Sequence, residues 1–252
     1  MILRNCFINR AKIRYLIIGD DFFNFWFPAT QRAHVKGPPV SLKVYEIFRS
    51  IQGESSFVGL PCVFIRLAGC NLRCRYCDTR YAQEGGEEMT LEEILRRVSQ
   101  FAVKLVEVTG GEPLFQSETP ILTMALMEEG YQVLVETNGT LDISVLPEGV
   151  IRIMDIKCPA SGESHRVMWE NLWKLRPDDE VKFVISDRHD YEWARGIILE
   201  RFEQAKTKIL FSTVFGELPP RHLVEWMLED RIQARFQLQI HKYIWPHDAR
   251  GV

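Results

Sequence analysis

Cys70, Cys74 and Cys77 stand at the spacing C-x3-C-x2-C inside Gly69-Cys70-Asn71-Leu72-Arg73-Cys74-Arg75-Tyr76-Cys77-Asp78-Thr79. Thiols grouped this way are metal ligands, and two kinds of centre compete for them. A structural zinc closes its shell with four ligands, usually arranged as two separated pairs. This loop offers three thiols, no histidine lies close by, and Cys158 is far along the chain. An iron–sulfur cubane on three thiolates keeps one iron free of protein, open to chelation by a small molecule, and cysteine thiolates are the usual ligands of such clusters. The loop therefore points to a cluster rather than to a zinc knuckle. Cys6, Cys62 and Cys158 read as small core or surface residues, not ligands.

Further residues with chemical potential follow apolar runs. Thr109-Gly110-Gly111-Glu112-Pro113 carries bare glycines, which let another group approach the main chain closely, although a turn of this kind is also an ordinary loop. Glu136-Thr137-Asn138-Gly139-Thr140 reads equally as a plain turn, because Asn-Gly favours positive φ. Its place at a strand end favours Glu136 or Asn138 facing a ligand. Gln52, Glu54, Arg66 and His241 form a second polar set on or beside strands. Arg66 lies in the apolar run Cys62-Val63-Phe64-Ile65-Arg66-Leu67, where an unpaired charge is costly. It is either paired with Glu54 or held as a bidentate clamp for a carboxylate. Strand alternation places Arg66 and Phe64 on one face, Ile65 and Leu67 on the other.

The elements that must position these groups alternate between strand and helix. Strands are expected at 42–48, 62–67, 103–108, 131–135, 150–156, 181–185, 208–211 and 234–240. Thr90-Leu91-Glu92-Glu93 is a capping-box signature for a helix to about Gln100. Further helices are expected at 120–129, 165–175, 187–202 and 219–228, with Trp169, Trp173, Trp193 and Trp226 as core. Repeated β-α units imply parallel strands joined by right-handed crossovers. The cysteine loop, TGGEP, ETNGT and DIKCP all follow carboxyl ends of strands, the rim that carries the site in β/α barrels. Six core strands are too few for an eight-fold barrel, so an open, partial one is expected.

Size and charge narrow the function. The 252 residues suffice for one large or two small domains, and the composition is that of a globular protein with a sizeable core. A net charge of −3 with interspersed signs offers no basic stripe for phosphates, which counts against direct action on nucleic acid. Clustered thiols in a chain of this length imply a reducing, cytoplasmic setting rather than a disulfide framework. The apolar run 13–27 is too short for a membrane span, is interrupted by Asp20 and Asp21, and has no small-residue cleavage site after it. Residues 1–40, closed by Gly37-Pro38-Pro39, read as a dispensable extension or an over-long gene start, and residues 41–252 as the catalytic domain.

The cysteine spacing, with the aromatic Tyr76 just before the last cysteine, resembles the radical S-adenosylmethionine (SAM) superfamily, and Gly110-Gly111-Glu112 resembles its GGE motif. A narrower set runs in order from about Ser41: Ser50-Ile51-Gln52-Gly53-Glu54, then Phe64 to Cys70, Cys77-Asp78-Thr79, TGGEP, ETNGT, DIKCP and Gln239-Ile240-His241-Lys242. It is similar to the 7-carboxy-7-deazaguanine synthase family of queuosine and deazapurine biosynthesis. One departure is Ser55-Ser56, where the family usually has glycine.

The resemblance implies an α/β fold, a truncated, partial (β/α) TIM-like barrel of the radical SAM type, usually homodimeric. It implies conversion of 6-carboxy-5,6,7,8-tetrahydropterin to 7-carboxy-7-deazaguanine with loss of ammonia. By it, Cys70, Cys74 and Cys77 hold a [4Fe–4S] cluster whose open iron chelates SAM. One-electron reduction of SAM by a flavodoxin- or ferredoxin-type donor then yields a 5′-deoxyadenosyl radical, which takes hydrogen from C6 of the pterin. Mg²⁺ falls to Thr79, an ion that takes few protein ligands and fills its shell with substrate and water. SAM falls to Tyr76, Cys77, Asp78, Gly111, Glu112, Asn138, Lys157 and Ser212. The pterin falls to Ile51, Gln52, Gly53, Glu54, Arg66, Thr109, Glu136 and His241. Two rivals are another radical SAM enzyme, such as a glycyl-radical activase, and a zinc-stabilised binding module without catalysis. The first usually carries extra clustered cysteines that this chain lacks.

Overall fold

The computed structural model describes residues 39–202, 207–246 and 249–252. One nine-stranded sheet dominates, in the order β3-β1-β2-β4-β5-β6-β7-β8-β9. β2 (Pro61–Leu67), β4 (Leu105–Gly110), β5 (Gln132–Thr137), β6 (Ile151–Ile156), β7 (Glu180–Ile185) and β8 (Lys208–Thr213) are the six core strands, and each pairs in parallel with the next. β1 (Ser41–Ile51) joins β2 antiparallel and β3 (Glu87–Thr90) joins β1 antiparallel. The sheet ends at β3 and β9 (Arg235–Phe236), so the barrel is open.

Alternation along the strands builds two cores. Residues facing outward, such as Val63, Ile65 and Leu67 of β2 or Val106 and Val108 of β4, are fully buried under α1 (Leu91–Ser99) and α2 (Thr119–Glu128). A second outer core joins β6–β8 to α3 (Arg188–Arg201) and α4 (Pro220–Glu229) around Phe183, Tyr191 and Phe211. Full burial of such side chains contributes about 1.5–3 kcal/mol each. The inward positions are stratified. At the amino ends of the strands Cys62, Leu105, Leu134 and Ile153 form a small apolar plug. One step toward the carboxyl ends the same face carries Glu107, Glu136, Asp155 and Lys182, and beyond them lie Thr109, Asn138 and Lys157. A residue two positions on points to the same side of the sheet, so this change of chemistry within one face is written directly in the sequence.

Local chemistry sets the boundaries. Thr90 caps α1 by accepting from the Glu93 amide at 3.3 Å, and Asp187 caps α3 by accepting from the Asp190 amide at 2.8 Å. The helix expected at 165–175 is absent; that stretch runs as 3-10 turns at Ser164–Arg166 and Trp169–Lys174. Asn171 explains it: its side chain donates to the Gly139 and Leu141 carbonyls and accepts from the Ile143 amide, tying the segment to the loop after β5. Trp169, Trp193 and Trp226 do pack against the second core, whereas Trp173 is 83% exposed and is not a core residue. The last strand is also far shorter than 234–240. After Phe236 the chain turns across the barrel mouth, where the Ile240 amide donates to the Gly53 carbonyl, and enters α5 (His241–Ile244). Glu87–Thr90, of which only Thr90 is expected in an element, as a helix cap, is a charged edge strand of the kind that discourages further pairing. Residues 1–38, with Cys6 and most of the expected extension, lie outside the described residues, and Val40–Val252 form one compact unit.

Candidate active site

The carboxyl ends of the strands surround a cavity of about 250 Å³. The three clustered thiols line it, and among the described residues no cysteine is in a disulfide. Burial holds up the Cys70 and Cys74 thiols, Cys74 to about 11, with the Lys157 ammonium pulling both back. The three thiols lie in electrostatic range of one another. A structural zinc closes its shell with four protein ligands, whereas a cubane on three thiolates keeps one iron open, so three thiols on one loop at the cavity suit the cluster. The residues present therefore fit the cluster that the spacing implies.

Glycine brings the thiol loop against the barrel. A Cβ on Gly110 meets the Leu67 carbonyl oxygen at 2.2 Å, and one on Gly111 meets the Gly69 carbonyl oxygen at 2.1 Å. The Gly111 and Glu112 amides donate to the Leu67 and Gly69 carbonyls at 3.1 and 2.8 Å. The bare glycines thus serve an approach of chain to chain as well as of chain to ligand. The opposite side of the loop is tied to later elements: the Arg73 amide donates to Glu163 at 2.8 Å, the Arg75 amide to the Ser161 carbonyl at 2.9 Å, and Asn71 to Thr140 at 2.7 Å. Arg75 closes the ring with a bidentate pair to Glu217.

Most of the residues singled out from sequence come together here. Ile51, Gln52, Gly53, Glu54, Arg66, Thr109, Glu136 and His241 line the cavity beside Tyr76, Asp78, Thr79, Gly111, Asn138 and Lys157. Two do not. Glu112 is wholly buried behind the wall, where its carboxylate accepts from the Leu114 and Asn138 amides and the Thr137 hydroxyl. Burial lifts its pKa to about 7 although those three bonds pull the other way. Its role in this structure is to fasten the TGGEP turn to the ETNGT turn, not to reach into the cavity. Ser212 is fully buried on β8, its hydroxyl has no hydrogen-bond partner among the described residues, and it does not line the cavity either.

Arg66 is not paired with Glu54. Its Nε donates to Glu46 at 2.7 Å, directly opposite it on β1, and the Phe48 and Tyr81 rings flank the guanidinium, each centroid at 5.9 Å. A register shift between Val44 and Glu46 sets that pairing. Glu54 turns instead to Lys182 at 3.0 Å and to Gln239 at 2.8 Å, which together with His241 outweigh burial and hold it down at about 2. Lys182 is the residue that sequence reasoning missed. Only 4% of its side chain is exposed, and it meets Glu136, Glu54 and Asp155. Burial disfavours its charge, but those carboxylates outweigh burial and keep it protonated. Its signal was a lone lysine in the run Val181 to Ile185, the same anomaly that marked Arg66. Asp155 and Glu107, Lys242, and the tail residues Ala249, Gly251 and Val252 also line the cavity.

Comparison with known proteins agrees with this geometry. A family model described as the Radical SAM superfamily matches residues 64–157. The chain is 43% identical over 226 residues to the 7-carboxy-7-deazaguanine synthase of Koribacter versatilis, covering 84% of this chain and 100% of that protein. It is 50% identical over 214 residues to the synthase of Chlorobaculum tepidum, covering 84% of this chain and 97% of that protein. The crystal structure of QueE from Escherichia coli superposes with a TM-score of 0.67 at 21% identity, over 79% of this chain and 93% of that one, a likeness of fold. With the cysteine loop, the open barrel and relatives matched along nearly their whole length, the chain belongs to the 7-carboxy-7-deazaguanine synthase family of the radical SAM superfamily.

Proposed function

We propose that this chain converts 6-carboxy-5,6,7,8-tetrahydropterin to 7-carboxy-7-deazaguanine with release of ammonia. The observation that carries the reading is the meeting, in one cavity, of three ligand thiols with a set of groups suited to a carboxylated pterin. Cys70, Cys74 and Cys77 would hold the [4Fe–4S] cluster, which together with SAM would supply one-electron chemistry. The residues around it bind and orient. Arg66 offers a cation for the carboxylate, while Glu54, Glu136, Thr109, Gln52 and His241 offer acceptors and donors for the ring edge. Gly111, Asn138, Lys157, Tyr76 and Asp78 remain on the side of the cysteine loop, suited to SAM. Thr79 stands two residues beyond Cys77 with its hydroxyl 3.8 Å from that sulfur, suited to a Mg²⁺ shared with substrate.

The same reading takes a small-molecule substrate, a flavodoxin- or ferredoxin-type donor, a homodimer and a cytoplasmic setting, with no direct contact to nucleic acid or membrane. Among the described residues no helix is long and apolar enough to cross a membrane. The test is anaerobic turnover of the reconstituted protein with SAM, reductant and the carboxytetrahydropterin. Formation of 7-carboxy-7-deazaguanine and ammonia together is the expected result. SAM cleavage that never yields the deazaguanine, with substrate recovered intact, would overturn the reading in favour of another radical SAM reaction.

A further inference from the structure

Four carboxyl groups reach the charged layer beneath the cavity from different elements: Glu54 after β1, Glu107 of β4, Glu136 of β5 and Asp155 of β6. The cations facing them are Lys182, which touches Glu54, Glu136 and Asp155, and Lys157, which donates to Asp155 at 2.9 Å. His241 adds its field at Glu54, and the neutral Cys62 thiol of β2 borders Glu107. Among the described residues no cation forms an ion pair with Glu107, although the Lys182 charge reaches it. Its side chain accepts from the Gln52 Nε2, and on the adjacent parallel strand Glu136 lines the same cavity, its carboxyl acting on that of Glu107. Gln52 is fixed at its other end, where its Oε1 accepts from the Glu54 amide at 2.9 Å.

The satisfaction of these contacts decides which species is present. Two facing carboxylates have only acceptors and repel, whereas one proton between them makes a donor and an acceptor. We propose that Glu107 is a neutral positioning residue, whose acid hydroxyl donates to Glu136 while its carbonyl oxygen accepts from Gln52. In this arrangement two groups that face the pterin are held by one residue that need not touch it. Burial, reinforced by the Glu136 and Glu54 charges, pushes the Glu107 acid well above the usual carboxylate range, with Lys182 opposing. A carboxyl kept neutral by an apolar floor is an established way to obtain a hydrogen-bond donor from an acid. Raising pH through the titration of the pair removes the shared proton, so the Glu136 and Gln52 postures loosen on the alkaline side and pterin binding weakens there.

This inference rests on the proposed pterin reading, and the test separates the two. Dissociation constants for 6-carboxy-5,6,7,8-tetrahydropterin and for SAM are measured anaerobically on the reconstituted wild type, Glu107→Ala and Glu107→Gln across pH. Infrared difference spectra of the same proteins report the acid carbonyl stretch. Glu107→Ala should weaken the pterin at least ten-fold with SAM within two-fold. Glu107→Gln, whose amide donates and accepts as the neutral acid does, should recover most of that loss and lack the alkaline weakening. The acid carbonyl band should be present in the wild type and missing in Glu107→Gln. A glutamine variant as weak as the alanine one, an alanine variant that binds normally, or no acid band in the wild type would each overturn the inference. If Glu107→Ala does not fold, Glu107→Gln and the band still decide. Failure of the wild type to bind the pterin would strike the functional reading instead, while the band continues to report on the shared proton.

Discussion

Arg66 commits only part of its guanidinium to the protein. Glu46 takes the Nε, two aromatic rings flank the plane, and among the described residues the terminal nitrogens donate to no protein group. That is the posture of an anchor whose bidentate edge is kept for a ligand carboxylate. Arg66→Lys keeps charge and loses the fork, so pterin affinity should fall about ten-fold, close to 1.4 kcal/mol, with SAM affinity nearly unchanged. Calorimetric titration of both ligands, beside the melting temperature, checks it. A lower melting temperature with both affinities intact would mean that Arg66 only pairs with Glu46. The face that Arg66 uses was legible from strand alternation. Its partner was not, because alternation fixes a face while the pairing depends on a one-residue shift in β1.

The strand ends and their turns act as units. Every strand terminus that looked chemical in the sequence does border the cavity, because parallel strands must deliver their carboxyl ends to one rim. Less legible was what the turns do for each other. The two glycines of TGGEP admit the backbone of the cysteine loop, and Glu112 binds the neighbouring turn. Both roles depend on contacts across more than twenty residues, which composition does not encode. Likewise Asn171 reads as an ordinary helical position until its three partners are seen. Gly111→Ala should push Gly69 and Cys70 away from β4, since the contact it meets is backbone and cannot rotate aside. A loss of roughly 1–3 kcal/mol is expected, as for other overpacked buried sites, with lower iron content after reconstitution. Urea denaturation and iron analysis measure both. An alanine variant with wild-type stability and full iron would show that the close approach is not required.

At the scale of the whole molecule the unit Val40–Val252 contains the sheet, both outer cores and every residue assigned to the cavity. The Leu91 amide donates to the Val40 carbonyl at 3.0 Å, so a shortened chain should keep that residue. A protein beginning at Pro39 should melt within about 2 °C of the full chain and bind the same iron, because a change under roughly 0.5 kcal/mol moves a domain of this size by that much. Thermal melting and turnover of the two proteins side by side give the answer; a truncated protein that is stable but inactive would place residues 1–38 in the reaction.

The bracing of the cysteine loop has a consequence for how the protein is made. Arg73 waits for Glu163, 90 positions later, and Arg75 for Glu217, 142 positions later. At a synthesis rate of roughly 5–20 residues per second, the first of those partners leaves the ribosome about 5–18 s after the thiols do. The three cysteines are thus among the early residues translated and the late ones to be locked in place. Throughout that interval they are reduced thiols on an unbraced loop, able to bind stray metal or to oxidise. Iron and sulfide delivered to this loop reach a finished cradle only when the far half of the barrel has closed on it.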